Sequence, residues 1–146
     1  MELEFEVYAK IQKPVHEVFE AVYNPEKLSG YFTTGGASAR LDEGTEVTWD
    51  FHDYPGAFPV KVIKTVPNET IVFEWADDRS GDETRVEMTF EELDGDATLV
   101  KIKESGWKKT QESLKYSYGN CMGWSQMLCF LKVYVEDGKN LRTFFY

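Results

Sequence analysis

The sequence predicts an α+β fold in which a curved antiparallel sheet wraps around one long C-terminal helix. Three patterns predict it. The first residues alternate apolar with mostly charged side chains, turn signals recur at hairpin spacing through the middle of the chain, and a single long helical stripe comes last.

The elements follow in order. Leu3, Phe5, Val7, Ala9 and Ile11 alternate with Glu2, Glu4, Glu6, Tyr8 and Lys10, the period of a strand with one covered face. The period then changes. Val15, Val18, Phe19 and Val22 fall at i, i+3, i+4 and i+7, the stripe of a short helix, with Pro14 suited to its first turn. Asn24 followed by Pro25 makes an N-cap and first-turn pair for a second short helix running towards Phe32. The glycines of TTGGASAR read as a connector into the next strand, because the lysine and strand–helix context of a phosphate cradle are missing.

Turn signals follow at LDEG, DYPG, PNE, DDRSGD and LDGD. Between them lie EVTWDF, AFPVKVIKTV, TIVFEWA, TRVEMTFEEL and ATLVKIKE. Val47, Trp49 and Phe51 alternate cleanly, as do Ile71, Phe73 and Trp75; Val86, Met88 and Phe90; and Val100 and Ile102. One face of the sheet is therefore apolar. After Gly106 and Trp107 the long helix runs from about Gln111 to Asp137 and stops near Gly138. At about 100° per residue, Ser117, Asn120, Trp124, Met127, Leu128, Leu131 and Val135 share one stripe, which is expected to lie on the sheet. Without repeats or a linker, residues 1–146 read as a single domain.

Composition narrows the partners. The formal net charge of −10 repels phosphate backbones and anionic headgroups, so nucleic acid is excluded and membrane insertion is not expected. The N-terminus has no basic start or continuous apolar stretch of a signal peptide, and a cytoplasmic location is expected. Cys121 and Cys129 lie eight residues apart, about 12 Å along a helix, too far for a disulfide or a shared ion; both read as small buried hydrophobes. His16 and His52 read as surface histidines, and the chain holds no zinc spacing, so neither metal nor cofactor is expected. Asp50, His52 and Asp53 would form an acid–base cluster only if a bulge near Pro55 reversed the strand phase. Gly119 and Gly123 read as positions of close packing or a bend against the sheet.

Three stretches carry a family resemblance: IQKPVHEVFEAVYNPEKLSGYF, YPGAFPVKVIKTVPNETIVFEW, and DATLVKIKESGW with GWSQMLCFLKVYVEDG. Pro14, Val18 and Phe19; Pro67, Ile71 and Trp75; and Gly123, Trp124, Leu128 and Leu131 fall where the helix-grip START/polyketide-cyclase (SRPBCC) superfamily has its recurring residues. Within it the chain resembles the homologues of heat-shock-protein ATPase activators. The resemblance implies an apolar cavity between sheet and helix, used across the superfamily for lipids, sterols, hormones or polyketides. It also implies a chaperone as an alternative partner. Full activators carry a separate N-terminal chaperone-binding domain, whereas this sequence opens on the first strand, so the chaperone ranks second.

The reading is thus a binding protein for a small hydrophobic or amphipathic molecule or a lipid. Its expected lining is Trp49, Phe51, Phe73, Trp75, Met88, Phe90, Ser117, Asn120, Trp124 and Leu128, with Ser117 and Asn120 orienting the polar end. Periodicity does not separate a cavity from a filled core. The alternative is an interaction module, for which Met122, Cys129 and Phe130 lie away from the main helix stripe. A cyclase- or hydrolase-like enzyme ranks last, because the strand phases supply no inward acid or base. Oligomeric state stays open, a homodimer included.

Overall fold

The computed structural model describes residues 1–76 and 80–146. Strand β1 (Glu4–Ile11) is followed by helices α1 (Val15–Tyr23) and α2 (Pro25–Leu28). Six further strands follow: β2 (Gly36–Ala37), β3 (Glu46–Phe51), β4 (Tyr54–Val66), β5 (Thr70–Ala76), β6 (Glu83–Leu93) and β7 (Ala97–Ser105). Helix α3 (Gln111–Asp137) closes the order. The strands form one antiparallel sheet in the order β1-β7-β6-β5-β4-β3-β2, and α3 packs on it along β1. This is the helix-grip arrangement.

The local signals explain most of the boundaries. The Asn24 side chain accepts from Glu26 N–H at 3.0 Å and starts α2, which stops at Leu28, well short of Phe32. Thr110 caps α3 by accepting from Ser113 N–H at 3.0 Å, and Gly138 ends it at φ 70°, a left-handed position that glycine adopts without a Cβ clash. The entry to α3 is also tied to the sheet. Asp82, buried ahead of β6, accepts from Ser113 Oγ at 2.6 Å and Lys108 N–H at 3.2 Å.

One turn differs from expectation. Only Asp53 of the DYPG signal lies in the turn, which is His52–Asp53; Tyr54, Pro55 and Gly56 already open β4, because Phe51 pairs with Tyr54. The Asp50 carboxylate compensates for a register shift there, accepting from Phe51 N–H at 2.9 Å and Gly56 N–H at 3.0 Å. The DDRSGD signal falls in part on residues 77–79, outside the described residues.

Core and surface divide along the sheet phases. Trp49, Phe73, Met88, Ile71, Ile102 and Val86 are fully buried beneath α1, α2 and α3. The cysteines depart from expectation: Cys129 is exposed and Cys121 half-buried, since both lie off the stripe of α3 that meets the sheet. Phe130 departs in the opposite sense. It is buried, because residues 139–146 fold back over it and set the Phe145 ring 4.9 Å and the Tyr146 ring 6.3 Å away.

Candidate functional site

At the open end of the grip, α3, the sheet and the segment 139–146 border an open-mouthed cavity of about 150 Å³. Phe32, Phe51, Trp75, Asn120, Trp124 and Arg142 line it, together with Gly119, Gly123 and Tyr146. The aromatic walls brace one another. Trp75 and Trp124 stand 5.5 Å apart between centroids, Phe32 is 5.6 Å from Trp124, and Phe32 meets Phe51 edge-on at 5.1 Å.

Behind this wall lies Glu104, on the inward face of β7 and completely buried. The expectation that no acid points inward is therefore overturned. Its phase continues Val100 and Ile102, both buried, so the sheet carries it into the core. Four side chains donate to it. Trp124 Nε1 reaches Oε1 at 2.8 Å; Trp75 Nε1 and Thr84 Oγ1 reach Oε2 at 3.0 and 2.6 Å. Asn120 Nδ2 stands 3.2 Å from both oxygens. Burial raises the Glu104 carboxyl above its ordinary range, and these four hydrogen bonds oppose that rise by favouring the anion. Glu104 is thus a hub that fixes the two indoles forming the inner wall, and it does not itself line the cavity. With their N–H groups turned to Glu104, Trp75 and Trp124 leave carbon surface to the cavity.

The residues singled out from the sequence divide between wall and core. Phe51, Trp75, Asn120 and Trp124 line the cavity. Trp49, Phe73, Met88, Phe90 and Leu128 are buried in the core around it and are not part of its lining. Ser117 is buried and donates to its own helix at Leu114 O, 2.6 Å away. Asn120 spends its amide N–H group on Glu104. Gly123 does not serve a close approach: a Cβ there would meet nothing within 4 Å. It borders the cavity instead.

Arg142, which sequence reading passed over, stands at the mouth. Its Nε and Nη2 donate to Asp53 Oδ2 and Oδ1, both at 2.9 Å, a bidentate pair. The guanidinium carbon lies 4.6 Å from the Phe51 ring centroid, 5.3 Å from Phe32 and 5.2 Å from Tyr146. Asp50, His52 and Asp53 thereby take separate partners: Asp50 the β3–β4 backbone, His52 the Thr34 hydroxyl, and Asp53 the arginine. They form no acid–base cluster. Among the described residues, no group of three or more His, Cys, Asp or Glu side chains is placed to hold a metal ion.

Comparison with known proteins supplies the lineage. A family model described as Activator of Hsp90 ATPase homolog 1-like protein matches residues 12–136. The protein SSP2350 from Staphylococcus saprophyticus is similar in structure, with a TM-score of 0.81 at 26% identity over 96% of both chains. DynU16, a putative protein in the dynemicin biosynthetic locus, gives 0.80 at 27% identity; the match covers 93% of this chain and 48% of DynU16. The Aha1 dimer from Colwellia psychrerythraea shares the fold, with a TM-score of 0.80 at 21% identity over 94% of this chain and 99% of that one. No curated protein matches the sequence. Among the described residues no helix is long and apolar enough to cross a membrane.

Proposed function

The chain belongs to the family of Activator of Hsp90 ATPase homolog 1-like proteins, and we propose that it binds a small, largely apolar molecule between sheet, α3 and the 139–146 segment. The observation that carries this reading is the aromatic-walled cavity of about 150 Å³. Its size narrows the ligand class. A dry cavity of about 150 Å³ accepts benzene, whereas pockets for larger organic ligands run from about 300 Å³ upward. A single ring fits as the site stands. A lipid, sterol or fused polyketide would require residues 139–146 to lift away.

Gly123 provides the test. Gly123 borders the cavity and a Cβ there meets nothing within 4 Å, so Gly123→Phe is expected to occupy cavity space with its ring. Titration with toluene or indole, followed by tryptophan fluorescence, should show saturable binding to the wild type and a loss of at least about tenfold in Gly123→Phe. Gly123→Ala, which only relieves the helical cost of glycine, should raise unfolding free energy by about 0.5–1 kcal/mol. Equal binding by the wild type and Gly123→Phe would rule the cavity out as the site.

A second reading, an interaction module, rests on a different surface. Tyr118 and Met122 lie four residues apart on α3, and both are well exposed. Tyr118→Ser with Met122→Ser should abolish capture of a ninety-kilodalton heat-shock chaperone if that face docks it, and should leave ring binding alone. Glu104 lends no support to an acid–base enzyme, because its oxygens are taken up by four donors and it is not among the residues lining the cavity.

A further inference from the structure

We propose that the cavity selects a single-ring aromatic acid, with its ring on the Trp75–Trp124 wall and its carboxylate on the Arg142 guanidinium. The proposal rests on the cavity reading above and adds the charge and direction of the ligand.

Arg142 is 9% exposed and lines the cavity. A guanidinium carries five N–H bonds. Asp53 takes two of them along the edge formed by Nε and Nη2. The other edge holds the two hydrogens of Nη1 and one of Nη2, and among the described residues no acceptor meets them. Phe51, Phe32 and Tyr146 offer only ring faces to the cation. This edge is not among the described residues' fully buried unpartnered polar atoms, so it is open to the cavity and its water, and its planar shape fits a second carboxylate bound end-on while Asp53 stays side-on. Stacking on three rings already holds that fork in place, so little further ordering is needed when a ligand arrives.

The inner end has the opposite character. The Trp75, Trp124 and Asn120 N–H groups are all turned towards Glu104, so the deep wall presents no donor among these three. A ligand is therefore directed apolar end inward and acid outward. An ammonium at the mouth would meet the arginine's positive charge, and a neutral amide would make weaker bonds to the same edge.

The measurement is binding of benzoate, benzamide and benzylammonium to the full chain at low salt, by calorimetry or tryptophan fluorescence. Benzoate is expected to bind roughly tenfold tighter than benzamide, with benzylammonium weakest. In Arg142→Met the benzoate-to-benzamide preference should fall to about one. Asp53→Asn keeps an oxygen for Nε yet removes the competing charge, and should strengthen benzoate several-fold. It also serves if Arg142→Met does not fold. The proposal is overturned if benzamide or benzylammonium matches benzoate, if the preference survives in Arg142→Met, or if Asp53→Asn weakens benzoate or leaves it unchanged. Binding of benzamide without a charge preference removes this inference alone, whereas no binding of any ring, toluene included, removes the cavity reading with it.

Discussion

Glu104→Leu is expected to cost about 3–5 kcal/mol of stability, enough to unfold a marginal domain, although leucine fits the apolar surroundings. The reason lies in what stays behind. Trp75, Thr84, Asn120 and Trp124 all point N–H or O–H groups at the vacated position, and Thr84 and Trp124 are themselves buried. Each stranded buried donor costs about 1–3 kcal/mol, and replacing one partner without the others forfeits any gain from removing the charge. Glu104→Gln should cost less, about 1–3 kcal/mol, because one oxygen remains while the new amide N–H group confronts donors. Urea denaturation of the three proteins checks the order. If Glu104→Leu were as stable as the wild type, the hub would be energetically idle.

The same residue sets a pH dependence. Burial raises the folded carboxyl above the unfolded value of 4.5, so the folded state holds this proton more tightly. Stability from this group is fully present below the unfolded value and is lost as pH rises through the folded one. Other carboxylates act in the opposite sense, and subtraction isolates Glu104. The stability of wild type minus that of Glu104→Gln should fall as pH rises from 4.5 towards neutrality. A flat difference would mean that the four donors fully offset burial.

Much of this frame is legible in the sequence because local chemistry agrees with tertiary structure. Helix α3 runs from Gln111 to Asp137 as its stripe and Gly138 predict, and Asn24 caps α2 as its residue type predicts. The Glu104 hub is half legible. Val100 and Ile102 point inward, and the same period carried one step further reaches Glu104. Its four donors come from β5, β6 and α3, so no local pattern announces the network. Ser117 and Asn120 do lie on the inward side of α3, yet periodicity does not tell that one bonds its own helix and the other Glu104. The mouth had its own signal: KNLRTFFY places an arginine and three aromatics just past a helix stop. Such a run has no period, and only its return onto Phe130 and Asp53 gives it meaning. Phe130 looked free for the same reason, since its cover arrives from beyond the helix.

Truncation after Gly138 should therefore have the second large effect. It leaves α3 intact, because Gly138 N–H still donates to Tyr134 O at 2.9 Å. It strips Phe145 and Tyr146 from Phe130, and Arg142 from Phe32 and Phe51, all three of them rings now under 8% exposed. Re-exposing even part of each ring costs about 1 kcal/mol, so a loss of roughly 2–4 kcal/mol is expected, with a lower urea midpoint. The bidentate Arg142–Asp53 pair adds little, since the energy of forming it is offset by desolvating both groups. The cavity should become an open apolar groove, read as increased binding of a hydrophobic dye, and the patch left uncovered should promote self-association. Phe145→Ala separates the contributions: it removes the nearer ring from Phe130 yet keeps Arg142 and Tyr146 at the mouth. It should reproduce about a third of the stability loss, the share of Phe130, whereas the benzoate preference should be lost only on truncation. An unchanged urea midpoint and no added dye binding after truncation would show that residues 139–146 merely rest on the surface.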